Sequence, residues 1–546
     1  MEDFIFGTLS TDPLKMLYQR ATQSGLQHAY TIRPRDPKPN EPLTLIVESG
    51  PDEVVDQVAC YYTLDGKNPV GSRGNSVNGH VVNFNKVGMV WDTLNWGYRQ
   101  RWEATIPSQP AGTELRYMIS GWQVDGDEIY ADWPDVKLTI EHAAKVYFDT
   151  RTPPPVKYLG DPSAGEVFIA NVDDLKPPQW AKEAVIYHIF VDRFYPGKDR
   201  DWNQTKNPKK AFGGTLQGVI DKLEYISALG ATAIWLSPIF ESPSIHRYDA
   251  TDYYHVAEEL GGNDALHKLV YEAHRRGIRI ILDLVCNHIS FKHHYFIDAL
   301  NNPSSSYRDW FYFDPEDEIG YRTFFGVRSM PQVNLNHSGA RRWMLDIARY
   351  WLEEFDVDGY RLDHANGPGP GFWGEFWQTC KGIKPESICF GEVVEPPDVQ
   401  CRYIGRMDGL LDFHLCEGIR KGIGTGHWKE ERFLNFLENH KSYFSDDFLM
   451  FTFLDNHDMD RFLYIAENQV EKLKKAAEIQ FEMPGPTIIY YGTEVGLQQK
   501  LSKTSAVGLE ASRDAMVWGQ DQDKALLRFY KNLIRKRMDT KPWEYK

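Results

Sequence analysis

The chain has 546 residues, which is too many for one ordinary hydrophobic core, so we expect two or more domains. Its formal net charge of −16 at pH 7 argues against binding to nucleic acids, because phosphates require clustered Lys and Arg side chains. A neutral or cationic ligand fits this charge better. Aromatic residues make up 14% of the chain, and although most are expected to fill cores, flat rings also suit the faces of pyranose sugars.

The composition also bears on where the protein works. The sequence begins Met-Glu-Asp-Phe-Ile-Phe, without a basic region followed by a long apolar stretch, and it contains no run of eighteen apolar residues. These features predict neither export nor a membrane span, and they indicate a cytoplasmic protein. The six cysteines are scattered without a Cys-x-x-Cys pair, so we expect them to be reduced and none to be catalytic.

The first part of the chain carries short runs in which apolar and polar residues alternate. The runs, interrupted by turns such as Asp65-Gly66, lie at residues 43–48, 57–63, 101–106 and 115–123. This pattern is typical of an antiparallel β-sandwich. Proline-rich passages at 152–155 and 176–178 predict a semi-rigid linker. We therefore predict an N-terminal β-sandwich domain, with its linker, over residues 1–165.

From Ala184 onward, strand-like runs alternate with segments of helical periodicity. The runs lie at 184–192, 231–238, 278–285, 357–363, 388–394, 409–415, 448–455 and 487–492. Eight such units predict a parallel (β/α)8 TIM barrel within residues 166–546, so the fold class is α/β. The helix before the fourth run has apolar residues at intervals of three and four up to Phe355, and Ser338 is placed to cap it.

One connection in this barrel is unusually long. Residues 289–337, after the third strand, are rich in aromatic residues and show no clear period. They exceed the length of an ordinary βα loop. We predict that they form an inserted subdomain that walls an active-site cleft.

Three acidic residues stand at the ends of predicted strands. Asp363, Glu392 and Asp458 each close or follow an apolar run, so they should gather at one rim of the barrel. Glycosidic cleavage needs one carboxyl group to protonate the leaving oxygen and a second to attack the anomeric carbon or to activate water, and further negative charge stabilises the cationic transition state. A single acidic residue after a strand is usually a solvated loop carboxylate, whereas three in patterned contexts favour a catalytic site.

Other residues are placed to assist these carboxyl groups. Arg361 lies two residues before Asp363, so both side chains should point to the same face of the strand, where the guanidinium can keep the carboxylate ionised. His288 and His457 follow predicted strands and could donate hydrogen bonds to sugar hydroxyls, and Tyr248 could stack on a sugar ring. Each has an alternative interpretation: a structural ion pair, structural histidines and ordinary loop packing.

These residues belong to segments that resemble the α-amylase family, glycoside hydrolase family 13, and in particular its cyclomaltodextrinase, neopullulanase and maltogenic amylase branch. The likeness covers the whole predicted barrel, and the N-terminal extension is similar in pattern and position to the starch-binding-like domain of that branch. The motifs that follow the family order are AVIYHIFVDRF at 184–194, FGGTLQG at 212–218, DLVCNH at 283–288, MPQVNLN at 330–336 and YYGTE at 490–494.

The resemblance implies a retaining mechanism. Asp363 would be the nucleophile, Glu392 the general acid/base, and Asp458 the aspartate that binds and distorts the sugar. The residues that would line the same subsite are Arg361, His288, His457 and Tyr248. Retention requires the two reacting carboxyl groups to lie about 5–5.5 Å apart. Glu392 must be protonated at the working pH, which burial and nearby negative charges favour.

The chain departs from the pattern of this branch where acceptor sugars bind. His364-Ala-Asn-Gly367 stands in place of Val-Ala-Asn-Glu, and Val394 replaces an aromatic residue. His364 and Asn366 are therefore candidate substrate-binding residues, and the linkage preference and the balance between hydrolysis and transfer stay open. The chain ends at Lys546, soon after the last predicted barrel helix, so the C-terminal β-domain usual in this family is expected to be absent.

A loop after the first barrel strand is a candidate calcium site. Asp199, Asp201 and Asn203 stand at alternate positions, as in oxygen-ligated calcium loops, although a solvated charged turn has the same pattern. The resemblance adds that calcium sites in this loop occur in related enzymes, and Asn287 is a second, separate candidate ligand. The chemistry itself requires no cofactor.

The leading hypothesis is an α-glucan hydrolase that cleaves α-1,4 bonds of maltodextrins, cyclodextrins or pullulan through a covalent glycosyl-enzyme intermediate. An alternative is a transglycosylase or an α-1,6-acting enzyme of the same family. A more distant alternative is a non-catalytic glucan-binding protein, because barrels host many functions. The resemblance also implies a homodimer formed through the N-terminal domain.

Overall fold

The computed structural model describes residues 12–21, 25–131, 146, 150, 165–314 and 319–544, and the chain divides into two compact units. The first unit comprises Met1–Lys176, Pro368–Trp377 and Val394–Met407. The second comprises Pro177–Gly367, Gln378–Val393 and Asp408–Lys546. The proline-rich passage predicted at 152–155 lies outside the described residues.

The first unit is built from short strands. After helix α1 (Asp12–Ala21) they are β1 (Leu26–Gln27), β2 (Ile32–Arg33), β3 (Leu43–Ser49), β4 (Gln57–Thr63), β5 (Val70–Ser72), β6 (Asn75–Asn78), β7 (His80–Asn83), β8 (Asn85–Asp92), β9 (Gly97–Ile106), β10 (Thr113–Trp122), β11 (Glu128–Tyr130) and β12 (Phe168–Val172). One antiparallel sheet has the order β1-β3-β9-β8 with β2 paired to β3, and the other has the order β11-β10-β4-β7 with β12 paired to β10. Strands β5 and β6 form a separate ribbon.

The two sheets share one hydrophobic core. Alternate residues of β3, such as Leu45 and Val47, and of β10, such as Tyr117 and Ile119, are buried in the same cluster. This alternation is what the sequence pattern predicts for two sheets packed face to face. The predicted N-terminal β-sandwich is thereby confirmed.

The first unit extends further along the chain than predicted. Strand β12 pairs antiparallel with β10, from Thr113 opposite Val172 to Tyr117 opposite Phe168. All five residues of β12 are buried, Phe168 completely. The prediction that the barrel domain begins at residue 166 is therefore wrong, because this apolar run completes the second sheet of the sandwich.

The second unit contains eight parallel strands. They are β13 (Val185–Ile189), β14 (Ala233–Leu236), β17 (Arg279–Val285), β18 (Gly359–Asp363), β19 (Ile388–Gly391), β20 (Gly409–Leu411), β21 (Leu449–Phe451) and β22 (Thr487–Tyr490), while β15 (Phe240–Glu241) and β16 (Asp252–Val256) form a separate ribbon. The order β21-β20-β19-β18-β17-β14-β13-β22 is closed by a bridge between Thr452 and Thr487. The predicted (β/α)8 barrel is confirmed.

Six of the eight predicted strand runs extend past the carboxyl end of the observed strand, and the runs for β20 and β21 do so by four residues each. Strand β20 stops at Leu411, because the side chain of Asp412 accepts a hydrogen bond from the backbone N–H of Leu415 and caps the next helix. Strand β21 ends at Phe451, and the residues that follow form the loop that carries Asp458. Apolar composition continues into both connections, which is why the pattern overestimates the strands.

Helices alternate with the barrel strands. Along the rest of the chain the helices are α2 (Gln179–Glu183), α3 (Val191–Phe194), α4 (Leu216–Asp221), α5 (Leu223–Leu229), α6 (Gly262–His274), α7 (His294–Asn301), α8 (Ser338–Phe355), α9 (Pro370–Ile383), α10 (Pro397–Gln400), α11 (Phe413–Ile419), α12 (Glu430–Tyr443), α13 (Phe462–Ile465), α14 (Val470–Glu482) and α15 (Lys524–Thr540). Helix α8 buries the predicted apolar stripe, but its cap is His337, whose ring accepts a hydrogen bond from the N–H of Gly339. Ser338 is the first helical residue, so the predicted cap is wrong by one position.

The long connection after β17 has little regular structure. It contains α7 and isolated bridges that join Phe311 to Val333 and Thr323 to Pro331. Aromatic rings such as Phe296 and Tyr321 pack against each other inside it. Among the described residues of the whole chain, no helix is both long and apolar enough to cross a membrane.

Candidate active site

The barrel brings two of the three predicted carboxyl groups to adjacent strand ends. Asp363 is the last residue of β18, and Glu392 directly follows the neighbouring strand β19. The backbone of Glu392 is joined to residues on either side of Asp363: the N–H of Glu392 donates to the carbonyl of Leu362, and the N–H of Ala365 donates to the carbonyl of Glu392, both over 2.9 Å. The strand order therefore fixes the two carboxyl groups side by side.

Arg361 binds both of these carboxyl groups. Its Nη1 lies 2.8 Å from Asp363 Oδ1, and its Nη2 lies 2.8 Å from Glu392 Oε2. The prediction that Arg361 and Asp363 share one face of the strand is confirmed. The guanidinium is fully buried and lies over the ring of Trp235, 5.2 Å from its centroid.

A third acidic side chain meets the same arginine. Asp283 stands opposite Arg361 in the register of β17 and β18, and its two carboxyl oxygens lie 3.0 and 3.1 Å from Arg361 Nη1. Asp283 also accepts hydrogen bonds from Trp235 Nε1 and from the hydroxyl of Tyr248. Sequence reasoning did not select this residue, although a charged residue inside the apolar run of β17 was a signal that could have done so.

Asp283, Asp363 and Glu392 share the one positive charge of Arg361 in a buried site, and burial and neighbouring charges shift their pKa values. Burial raises the pKa of Asp363 to about 7, and Asp283 and Asp458 contribute in the same direction, while Arg361 opposes them. Burial likewise raises the pKa of Glu392 and outweighs the effect of Arg361. The expected rise at Glu392 is thus present. At Asp363, the stabilisation of the ionised form by Arg361 is smaller than the effect of burial.

Asp458 has a different environment. Its Oδ1 accepts a hydrogen bond from Arg513 Nη2, and its Oδ2 lies 2.9 Å from His457 Nε2. Burial disfavours the ionised form, but His457, Arg513 and Arg361 together hold the pKa of Asp458 well below its usual range. Sequence reasoning missed Arg513, because nothing in the local sequence of that loop indicates that it reaches Asp458.

Tyr248 and His457 form one stack in the site. Their rings are 5.3 Å apart and nearly parallel, at 8°, and the Tyr248 hydroxyl lies 2.5 Å from His457 Nε2. Burial raises the pKa of the Tyr248 hydroxyl well above its usual range, so the hydroxyl stays protonated. Tyr248 therefore packs against His457 and also donates a hydrogen bond to Asp283. Both Tyr248 and His457 lie beside the candidate acids, where the sequence predicted them.

His288 is also buried near this site. Its ring stacks on Phe324 with centroids 4.6 Å apart, and Asn287 Nδ2 lies 3.2 Å from its Nδ1. Its other ring nitrogen, Nε2, is buried and has no hydrogen-bond partner among the described residues. Burial lowers the pKa of His288 to about 3, so the ring is neutral. A buried polar atom without a partner is uncommon and is consistent with a ligand contact.

The segment after the nucleophile candidate has an unusual backbone. His364 has a φ of 41°, and its N–H donates to Glu392 Oε2 over 3.1 Å. Its ring contacts Phe324 and Phe325 at centroid distances of 4.9 and 5.3 Å. Asn366 lies two residues further along the same turn.

Gly367, where the sequence departs from the family pattern, touches Asn287. A Cβ atom at this position would lie 1.9 Å from Asn287 Oδ1. A larger residue would therefore have to displace the Asn287 side chain. With Asn287 in its present position, the site has no room for a side chain at residue 367.

The candidate calcium ligands do not assemble with other acidic groups. Asp199, Asp201 and Asn203 are exposed, and the Asn203 amide donates to the carbonyl of Ala211. Among the described residues there is no group of three or more His, Cys, Asp or Glu side chains that could hold a metal ion. Calcium binding at this loop, or at Asn287, stays a prediction.

The family model described as the catalytic domain of α-amylase matches residues 188–538. This region includes every barrel strand except β13, which it enters near its end. The chain therefore belongs to the α-amylase family, as its motifs predict.

Several relatives with known names match about two thirds of this chain. An α-amylase 2 from Dictyoglomus thermophilum is 40% identical over 369 residues, which cover 67% of this chain and 65% of the relative. Neopullulanase 2 from Thermoactinomyces vulgaris is 35% identical over 68% of this chain and 65% of that protein. A cyclomaltodextrinase from Geobacillus thermopakistaniensis is 34% identical over 67% and 64%. The matches thus span just under two thirds of the length of these relatives.

Solved structures show the same similarity. A cyclomaltodextrinase aligns with a TM-score of 0.62 and 26% identity over 94% of this chain and 84% of that chain. The cyclic α-maltosyl-(1→6)-maltose hydrolase from Arthrobacter globiformis, in complex with cyclic α-maltosyl-(1→6)-maltose, aligns with a TM-score of 0.62 and 31% identity over 67% and 84%.

Proposed function

We propose that this protein is a retaining α-glucan hydrolase that cleaves α-1,4 bonds of maltodextrins, cyclodextrins or pullulan. The observation that carries the proposal is the single arginine, Arg361, in contact with both Asp363 and Glu392. Contact with one guanidinium holds the two carboxyl groups in one site, as a pair that acts on one glycosidic bond requires. The family membership and the names of the relatives support the same reaction class.

In the proposed reaction, the carboxylate of Asp363 attacks the anomeric carbon while Glu392 gives its proton to the leaving glycosidic oxygen. A covalent glycosyl-enzyme forms and the first sugar product departs. Glu392, now ionised, takes a proton from water, and the resulting hydroxide attacks the same carbon and releases Asp363. Two inversions give net retention. The raised pKa of Glu392 supports its role as the proton carrier.

Asp458 serves this reaction as an ionised hydrogen-bond acceptor for the sugar. Its low pKa keeps it charged over the working range, so it favours the positive charge that develops on the sugar ring. The neutral His288 ring, with its unpartnered Nε2, is placed to bind a sugar hydroxyl.

A second candidate function is transglycosylation or cleavage of α-1,6 bonds by the same intermediate. His364 and Gly367 leave it open, because they depart from the family pattern where an acceptor would replace water. The structural similarity to a hydrolase bound to a cyclic sugar with a (1→6) linkage favours it. A non-catalytic glucan-binding protein is disfavoured, because binding alone does not require three acids on one buried arginine.

Product analysis tests the proposal. Wild-type protein and Asp363→Asn are incubated with γ-cyclodextrin, pullulan, soluble starch and panose. We expect ring opening and maltodextrin hydrolysis by the wild type, and a loss of activity on the order of 10⁴-fold for Asp363→Asn, which still binds γ-cyclodextrin in calorimetry. Longer or relinked products at high substrate would indicate transfer. No product from any of the four substrates would refute the hydrolase assignment.

A further inference from the structure

Asp458 is held by a chain of buried ion pairs that begins elsewhere in the barrel. The guanidinium of Arg513 donates hydrogen bonds from all three of its nitrogens. Nη2 donates to Asp458 Oδ1 over 2.9 Å, and Nε donates to the carbonyl of His457 over 2.8 Å. Nη1 donates to Glu510 Oε1 over 2.8 Å. The guanidinium also lies over the ring of Phe190, 5.2 Å from its centroid. Arg513 can therefore rotate only if its bond to Glu510 is broken.

Glu510 connects this arginine to a second one. Its Oε2 lies 3.0 Å from Nη2 of Arg193, which is fully buried and follows β13. Arg193 in turn lies 2.9 Å from Asp192 and over the ring of Phe212, 3.7 Å from its centroid. The charges therefore alternate in sign from Asp192 to Asp458, with Glu510 between the two arginines.

The segment that follows Arg513 is tied by two hydrogen bonds to helix α3, which follows the first barrel strand. The N–H of Met516 donates to the carbonyl of Arg193 over 2.8 Å, and Trp518 Nε1 donates to the carbonyl of Phe194 over 3.0 Å. Glu510 lies on a single turn of 3₁₀-helix, Gly508–Ser512, that directly precedes Arg513. The segment that contains this turn is thus held against α3, and the position of the turn determines the position of the Arg513 side chain.

We propose that Glu510 is a positioning residue for the reaction: through Arg513 it fixes the orientation of the Asp458 carboxylate that faces the sugar. The inference rests on the proposed role of Asp458. With Arg513 on Oδ1 and His457 on Oδ2, both oxygens have fixed donors, and the carboxylate cannot turn about its axis. Its side chain nevertheless keeps 26% of its surface accessible, so a substrate can reach it.

This series of ion pairs also explains why the position of Glu510 requires a negative charge. Two guanidinium groups lie within 3.0 Å of its carboxylate, and burying both without it would leave like charges close together. Arg513 would then move toward solvent or pair more closely with Asp458. Either movement changes the geometry of Asp458 while leaving Asp363, Glu392 and Arg361 in place.

The test compares Glu510→Gln with a matched control. Glu417 is equally buried, with 8% of its surface exposed as in Glu510, and it pairs with Lys421 at 2.7 Å, away from this chain of charges. Rates on γ-cyclodextrin are normalised to the concentration of active sites measured by trapping the glycosyl-enzyme. We expect Glu510→Gln to lower kcat at least tenfold with less than a threefold change in KM, and Glu417→Gln to change neither.

The rate per active site separates positioning from folding. Loss of the oriented Arg513 contact should misalign Asp458, so the normalised kcat should fall, while the acidic limb of kcat/KM, which the ionisation of Asp363 defines, should stay in place. Glu510→Asp, which keeps the charge, should restore part of the rate. Loss of folded protein alone would reduce the active-site concentration and leave the normalised kcat unchanged, and that outcome would overturn the inference.

A double variant tests whether Glu510 acts through Arg513. If it does, Glu510→Gln combined with Arg513→Lys should be about as slow as Arg513→Lys alone, whereas independent contributions would multiply. Multiplied effects would contradict the inference. Asp458→Asn distinguishes failure of the positioning role of Glu510 from failure of the proposed role of Asp458. If Asp458→Asn is inactive while Glu510→Gln behaves as wild type, only the positioning role is refuted. If Asp458→Asn keeps wild-type activity, the proposed role of Asp458 is refuted first.

Discussion

At the scale of single residues, the site is organised by one arginine. Arg361 contacts Asp283, Asp363 and Glu392, and it is buried without access to water. Because one positive charge faces three acids, repulsion among them is relieved when one keeps a proton. Burial raises the pKa of all three acids, and the rise at Glu392 fits its proposed role as the proton donor.

Replacement of Arg361 should shift the pH dependence. Arg361 lowers the pKa of both Asp363 and Glu392, so in Arg361→Met both pKa values should rise. Ionisation of Asp363 defines the acidic limb of kcat/KM, which should therefore move to higher pH by about one unit or more. The shape of the profile is independent of the fraction of folded enzyme. Arg361→Lys, which keeps the charge, should move the limb less, and an unchanged profile in Arg361→Met would contradict this account.

At the scale of elements, strand ends and helix starts decide where the functional groups stand. The register of β18 with β17 places Arg361 opposite Asp283, and its register with β19 brings Asp363 beside Glu392. The first residue of β18, Gly359, allows this pairing to be tight, because a Cβ there would lie 1.9 Å from the carbonyl oxygen of Ile388. The geometry of this site therefore depends more on the register of the strands and on where they end than on how long they are.

The start of α8 gives a test at this scale. His337 caps the helix through its ring nitrogen, 3.1 Å from the N–H of Gly339, whereas Ser338 is already helical. We expect His337→Ala to lower the free energy of unfolding by about 1 kcal/mol and Ser338→Ala to change it little. His337→Asn should restore most of the loss. Thermal unfolding of the three variants measures this, and an equal effect of the two alanine substitutions would contradict the assignment of the cap.

At the scale of the whole molecule, the chain does not divide into two continuous segments. The first unit takes in Pro368–Trp377 and Val394–Met407 as well as the N-terminal sandwich. In the sequence, these two segments come shortly after Asp363 and Glu392, respectively. A deletion of residues 1–165 would also leave β12 without its partner strand, so such a variant would test stability before it tested function.

The homodimer implied by the family resemblance is better tested on the intact chain. We expect light scattering of the full-length protein to give a mass about twice the 63.1 kDa of one chain, with a fall toward the single-chain mass on dilution. The measurement over a hundredfold range of concentration checks this. A mass of one chain throughout that range would refute the dimer.

Much of the fold was predictable because it depends on local pattern. Alternation of period two predicted the strands β3, β4, β9 and β10, and the alternation of strands with helical stripes predicted the eight-stranded barrel. The misplaced boundary before β12, the overlong β20 and the cap of α8 were errors of one segment or one residue. The boundary before β12 depends on pairing with a strand distant in sequence, whereas the end of β20 and the cap of α8 depend on which polar side chain caps the next helix.

The sequence by itself determined the acids of the site, since Asp363 and Glu392 stand at strand ends, Asp458 follows an apolar run, and Arg361 stands two residues before Asp363. Only the tertiary structure decided how these groups are charged and held. Burial raises the pKa of Asp363 against the effect of Arg361, and Arg513 and Glu510 reach Asp458 from a loop more than fifty residues later in the chain. Ion-pair geometry and desolvation depend on distances in space, which no local pattern of residues encodes.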